Sequence, residues 1–116
     1  MGFFDKIADK ATAKKLEEVK LLLLENEEVE YAFSLLLDHG YITNKRLIIS
    51  DKSFLSSEQA LISIPFSKIN SVSILKKGGF STLKKLEIMV GSHSFAFTIT
   101  EEDPIEVYKM ILNKIV

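Results

Sequence analysis

The sequence predicts a mainly β domain of about seven short antiparallel strands, in a barrel or sandwich capped by a C-terminal helix and preceded by helical structure. Three observations predict it. The hydrophobic period switches from about 3.6 residues to about 2 near Val29, and alternation then recurs as far as Thr100. Turn residues punctuate that stretch at Asp38-His39-Gly40, Asn44-Lys45, Gly78-Gly79 and Gly91-Ser92. A capped amphipathic helix then closes the chain from Asp103 to Val116. A sheet of many short strands has to fold on itself, and one helix suffices to plug an open end.

Residues 2–24 read as helix. Phe3, Phe4, Ile7, Ala8 and Ala11 form one stripe, and Leu16, Val19 and Leu23 form a second that does not line up with it. The spacing predicts a short amphipathic segment and then a second or bent helix. Leu21 to Leu24 are apolar all round and are expected to be buried from more than one side. Glu25 to Glu28 form an acidic link, so residues 1–28 are an N-terminal helical segment and residues 29–116 the barrel with its helix.

Val29, Tyr31, Phe33, Leu35 and Leu37 alternate with polar or small residues as a half-buried strand. Asp38-His39-Gly40 reads as a tight turn, where Gly tolerates positive φ. Tyr41–Thr43 and Arg46–Ser50 are strands around a turn at Asn44-Lys45, and Asp51–Gln59 is a polar loop. Ala60–Ile64 is a strand ending at Pro65, followed by a short helical turn to Lys68. Ile69–Leu75, Leu83–Val90 and Ser94–Thr100 complete the sheet, with Lys76–Thr82 as a hairpin loop. The final helix has Asp103 as cap, Pro104 at its first position and Glu106 completing a capping box. Its apolar stripe is Ile105, Tyr108, Ile111, Leu112 and Ile115. The expected core comprises Phe33, Leu35, Ile49, Ile64, Val72, Ile88, Phe97 and Ile111.

Composition narrows the function. The 116 residues suit one domain able to bury a core unaided. A net charge of −1 argues against a nucleic-acid binder, and the aromatics alternate inward and not onto a stacking face. There is no cysteine, hence no disulfide, thiolate metal site or cysteine nucleophile. No apolar run spans a bilayer and no signal-peptide h-region opens the chain, so a cytoplasmic location is expected. His39 and His93 read as solvated turn residues, and Glu25–Glu30 as a solvated face. No nucleophile elbow, phosphate loop or metal-ligand spacing is present; no catalytic, cofactor or metal site is expected.

Thr43 and Asn44 can bond local backbone at their turn, and Arg46 beside it can hold a carbonyl or a carboxylate. Two surface candidates remain. One is an oligomer interface from Phe3, Phe4, Ile7, Leu36, Leu55 and Leu61. The other is an anionic-surface patch from Lys76, Lys77, Phe80, Lys84 and Lys85, although lysines there also discourage edge-to-edge sheet pairing.

Three strings carry a resemblance. They are Glu27–Phe33, then Tyr41–Ile49 followed by Asp51-Lys52, and Ser63–Ile69 with its Ser-Ile-Pro-Phe core. Together with the element order and the opening Met1–Asp5, they resemble the bacterial pleckstrin-homology domain family, over roughly Leu16 to Val116. The resemblance implies a pleckstrin-homology-like barrel, no assigned enzymatic activity and a tendency to form ring-like homo-oligomers. In lipid-binding members of the wider fold, basic residues surround the first hairpin loop. Here that loop is Asp38-His39-Gly40, which departs from the phosphoinositide pattern. The expected role is therefore a non-enzymatic module that binds its own copies or another protein, larger than a dimer in solution. Peripheral binding to anionic lipid through the 76–85 hairpin is the alternative.

Overall fold

The computed structural model describes residues 10–36, 38–52, 59–75 and 85–116. The elements are α1 (Lys10–Lys20), β1 (Val29–Ser34), β2 (His39–Thr43), β3 (Arg46–Lys52), β4 (Gln59–Pro65), a 3-10 turn (Phe66–Lys68), β5 (Ser71–Leu75), β6 (Lys85–Val90), β7 (His93–Thr98) and α2 (Pro104–Ile115). Strands β1–β4 form one antiparallel sheet and β5–β7 a second, each in chain order. Among the described residues the two sheets do not close into a continuous barrel. They meet at one corner, the Leu35–Ile99 bridge, where Leu36 N–H donates to Thr98 O at 3.1 Å and Thr100 N–H to Ser34 O at 3.0 Å. The Glu102 carboxylate pins the same corner by accepting from Ser34 N–H at 2.6 Å.

The core between the sheets is the one the alternation predicts. Phe33, Ile49, Ile64, Val72, Ile88, Phe97 and Ile111 are buried in a single cluster, and Leu35 packs on its margin. Helix α2 lies against β5, β6 and the 3-10 turn. Asp103 and Pro104 take their expected places: the Asp103 side chain accepts from Ile105 N–H at 3.0 Å, with Pro104 next. Replacing Asp103 by alanine should lower stability by about 1 kcal/mol in a thermal or urea melt. Of the predicted stripe, Ile111 is buried and Tyr108, Leu112 and Ile115 pack against the core, and one residue needs correction. Val107 and Ile111 are the buried pair one turn apart, whereas Ile105 lies on the exposed side.

The first sheet is covered on both faces, which alternation alone does not reveal. Leu16 and Val19 of α1 pack on Ala32, Tyr41 and Ile48, on the face opposite the main core. Ala32 is therefore buried although it alternates with Phe33. The helix stops at Lys20; Leu23 still packs beside Leu16 and Val19 as its stripe predicts, but Leu21, Leu22 and Leu24 do not. Hydrogen bonds from Leu22 N–H to Val19 O (2.9 Å) and from Glu27 N–H to Leu24 O (3.1 Å) turn the chain here. As a result Leu21, Leu22 and Leu24 are 85%, 48% and 58% exposed, against the expectation of burial.

The first hairpin turn is also displaced. Leu35 N–H donates to Asp38 O at 2.7 Å, which closes the turn before His39. His39 and Gly40 open β2, so His39 is a half-buried strand residue beside the Tyr41 ring and not a solvated turn residue. Gly40 lies opposite Phe33, and its role is close approach: an added Cβ would fall 2.3 Å from Phe33 Cε2. His93 opens β7 and is exposed.

Candidate interaction surface

The local structure around the exposed leucines is built by a buried ion pair. Pairing of Val29 with Thr43 brings the residues just before β1 beside the β2–β3 turn. Glu27 there is buried, against the expectation that the whole Glu25–Glu30 run is solvated. Its carboxylate accepts from Arg46 Nε at 2.9 Å and Nη2 at 3.0 Å, from Thr43 Oγ1 at 2.7 Å and from Leu24 N–H at 2.8 Å. Burial pushes the Glu27 pKa up, but the hydrogen bonds from Arg46, Leu24 and Thr43 and the Arg46 charge outweigh it, leaving it at about 2. Arg46 also donates to Leu22 O and to Ser63 Oγ, each at 2.8 Å. Arg46 therefore holds both a carbonyl and a carboxylate.

The Thr43-Asn44 turn acts as the sequence suggests. Thr43 Oγ1 accepts from Lys45 N–H and Arg46 N–H at 2.9 Å. Asn44 Oδ1 accepts from Glu28 N–H at 2.8 Å, and its amide donates to Asn26 O at 3.0 Å. The left-handed residue is Asn26, at φ 63°, a conformation that Asn tolerates. The leucine turn is thus tied at Leu22 O, Leu24 N–H and Leu24 O. It presents apolar side chains on a fixed backbone, so a partner need not order it on binding.

A second polar cluster joins α1 to the sheet. Asp38 is buried and accepts from Lys15 Nζ at 2.7 Å and Ser50 Oγ at 2.8 Å. Burial pushes its pKa up, but the hydrogen bonds from Lys15 and Ser50 and the Lys15 charge outweigh it, so the net shift is downward. Beside Asp38, a cleft of about 440 Å³ opens between the sheets, walled by Leu35, Leu36, Ile49 and Ile62 on one side and by β7 on the other.

The structure scatters the sequence-derived candidates. Leu36 is 70% exposed at the rim of the cleft, and Leu61 is 39% exposed beside a separate hollow with Lys15 and Tyr41. Phe3, Phe4, Ile7 and Leu55 lie outside the described residues, as do Lys76, Lys77, Phe80 and Lys84. Lys85 is exposed at the head of β6 and also lines the cleft. Sequence reasoning missed Leu21, Leu22 and Leu24 as surface residues. The signal was Arg46 together with the β1–β2 register, which places an acid near Thr43 and so bends the chain before Val29. Among the described residues no group of three or more His, Asp or Glu is placed to hold a metal ion, and no helix is long and apolar enough to cross a membrane.

Known proteins share this architecture. A crystal structure of a pleckstrin homology domain from Shewanella amazonensis superposes with a TM-score of 0.73 at 23% identity, covering 99% of each chain. A DUF1696 family protein with a pleckstrin-homology domain from Shewanella loihica gives 0.67 at 21% identity, over 90% of this chain and 92% of that one. In sequence, the uncharacterized protein YozO of Bacillus subtilis is 30% identical over 114 residues, covering 98% of this chain and 96% of its own. The uncharacterized protein YjqA of the same organism is 37% identical over 95 residues, 78% of this chain and 76% of its own. The residue pattern of the Bacterial PH domain family matches residues 2–115, and the chain belongs to that family.

Proposed function

We propose that this domain works as a non-enzymatic protein-interaction module whose first partner is its own copy. The observation that carries this reading is the fixed turn exposing Leu21, Leu22 and Leu24. Large side chains held out on an ordered backbone gain apolar burial on association without the added cost of ordering the backbone. Leu36 and Leu61 add apolar surface elsewhere, which suits contacts between different patches on successive copies and hence ring closure. Glu25 and Glu28, next to the leucine turn in sequence, are exposed acids and oppose seating that turn on an anionic bilayer.

Light scattering coupled to size exclusion should give a mass above twice the 13.1 kDa of the chain. A concentration-independent mass of 13.1 kDa would sink the self-association reading. Leu21→Glu with Leu24→Glu should lower the mass if the turn carries the contact. An unchanged mass in that variant would move the interface elsewhere.

A further inference from the structure

Strand β7 runs past the end of its neighbour. The segment that follows β1 leaves β7 at Leu36 and turns at once, Leu35 N–H closing onto Asp38 O at 2.7 Å. Meanwhile β7 stays paired with β6 back to His93. Among the described residues, no strand pairs the other edge of β7 before that corner. The corner fixes the phase of this edge. Thr98 O and Thr100 N–H point at β1. The backbone groups of Ser94 and Ala96 have the same parity and face the same side. They form a row of alternating donors and acceptors at strand spacing.

The cleft described above lies along this row. Ser94, Phe95, Ala96, Phe97 and Thr98 line it consecutively, so its wall is the edge of the strand and not one of its faces. Ile49 and Ile62 offer apolar surface across it. Ser94–Thr98 contains neither a charged residue nor a proline, two of the usual blocks to pairing at a sheet edge. Lys85, opposite Thr98 in the β6 register, is the cation beside it.

We propose that the free edge of β7 docks an extended peptide segment of another protein, which adds to the sheet as an antiparallel strand. The proposal rests on the protein-binding reading above and gives it a mode of recognition. A polypeptide backbone matches a row of donor–acceptor pairs that repeats every second residue, about 6.8 Å. Apolar side chains at alternate positions of the segment enter the cleft against Ile49 and Ile62. An acidic residue at its end meets Lys85.

The test uses a fluorescein-labelled peptide of about eight residues, long enough to pair along the edge at strand spacing. Valine alternates with threonine, and glutamate stands at each end. A twin carries N-methyl groups on alternate amides, which blocks backbone pairing and leaves every side chain in place. The parent should bind in fluorescence anisotropy and slow hydrogen exchange at the Ser94 and Ala96 amides. The twin should bind about ten-fold more weakly or worse, as expected for lost backbone hydrogen bonds. Ala96→Pro, which removes an N–H aimed away from β6, should retain the fold and lose the parent peptide. Equal binding of parent and twin, or binding of neither, overturns the proposal. So does protection of Ser94 and Ala96 that grows with protein concentration without peptide, because a second copy then occupies the edge. That last outcome leaves self-association standing, whereas a monomer that binds the parent peptide removes self-association and keeps the proposal.

Discussion

Glu27→Ala is expected to destabilise the fold by about 3–5 kcal/mol in urea denaturation at neutral pH. The side chain is fully enclosed, and its loss strips Arg46, Thr43 and Leu24 N–H of their shared acceptor. Arg46, half-buried, keeps Leu22 O and Ser63 Oγ but loses its carboxylate partner, and a partly buried cation stripped of its counter-charge costs more than the pair itself contributes. The same group sets an acid dependence. Its folded pKa of about 2 lies below the ordinary 4.5, so the stabilisation is present above about pH 5 and fades as pH falls towards 2. The loss over that window should be on the order of 3 kcal/mol. Glu27→Gln should show a shallower acid slope than the parent chain. An identical slope in the two proteins would mean that other carboxylates carry the acid sensitivity. Glu27→Ala should also speed hydrogen exchange at Leu24, since the leucine turn is tied through that amide.

The core was legible because alternation survives wherever one face of a strand meets the space between the sheets. Phe33, Ile88 and Phe97 were readable on that basis, and so was the 3-10 turn after Pro65. The outer face of β1–β3 was not. Ala32, Tyr41 and Ile48 look like surface residues until α1 is laid across them, and no local pattern says where a helix will dock. The leucines failed for a related reason. Four apolar residues in a row carry no periodicity, so their burial depended on whether the helix continued. It stops, because Arg46 and Glu27 hold the chain in a turn. That ion pair spans 19 residues of sequence and becomes visible only once the β1–β2 register is known. The surface candidates fared least well, since exposure of Leu36 or Lys85 says nothing about what they meet. Gly40 was read as a turn glycine because an Asp-His-Gly string favours one. Its actual constraint comes from a side chain on another strand.

That constraint yields the second large effect. Phe33→Ala should cost about 3–5 kcal/mol, because the ring fills the centre of the core. Gly40→Ala should cost about 1–3 kcal/mol or more, although it adds only one methyl group. The new Cβ would sit 2.3 Å from Phe33 Cε2 and 2.4 Å from Cζ, far inside contact distance. The ring has nowhere to swing: it is buried, stacked on Phe97 at 6.0 Å and on Tyr31 at 6.4 Å between centroids. Either the ring leaves its rotamer or β1 and β2 separate at this pair. A shorter side chain at position 33 relieves the clash, so Phe33→Leu combined with Gly40→Ala should be less destabilised than the sum of the two single changes. The expected coupling is about 1 kcal/mol or more, measured by urea denaturation of the four proteins in the cycle. Additivity to within about 0.5 kcal/mol would show that the ring and the glycine do not constrain each other. In that case Gly40 would have to be explained by the backbone of β2 alone.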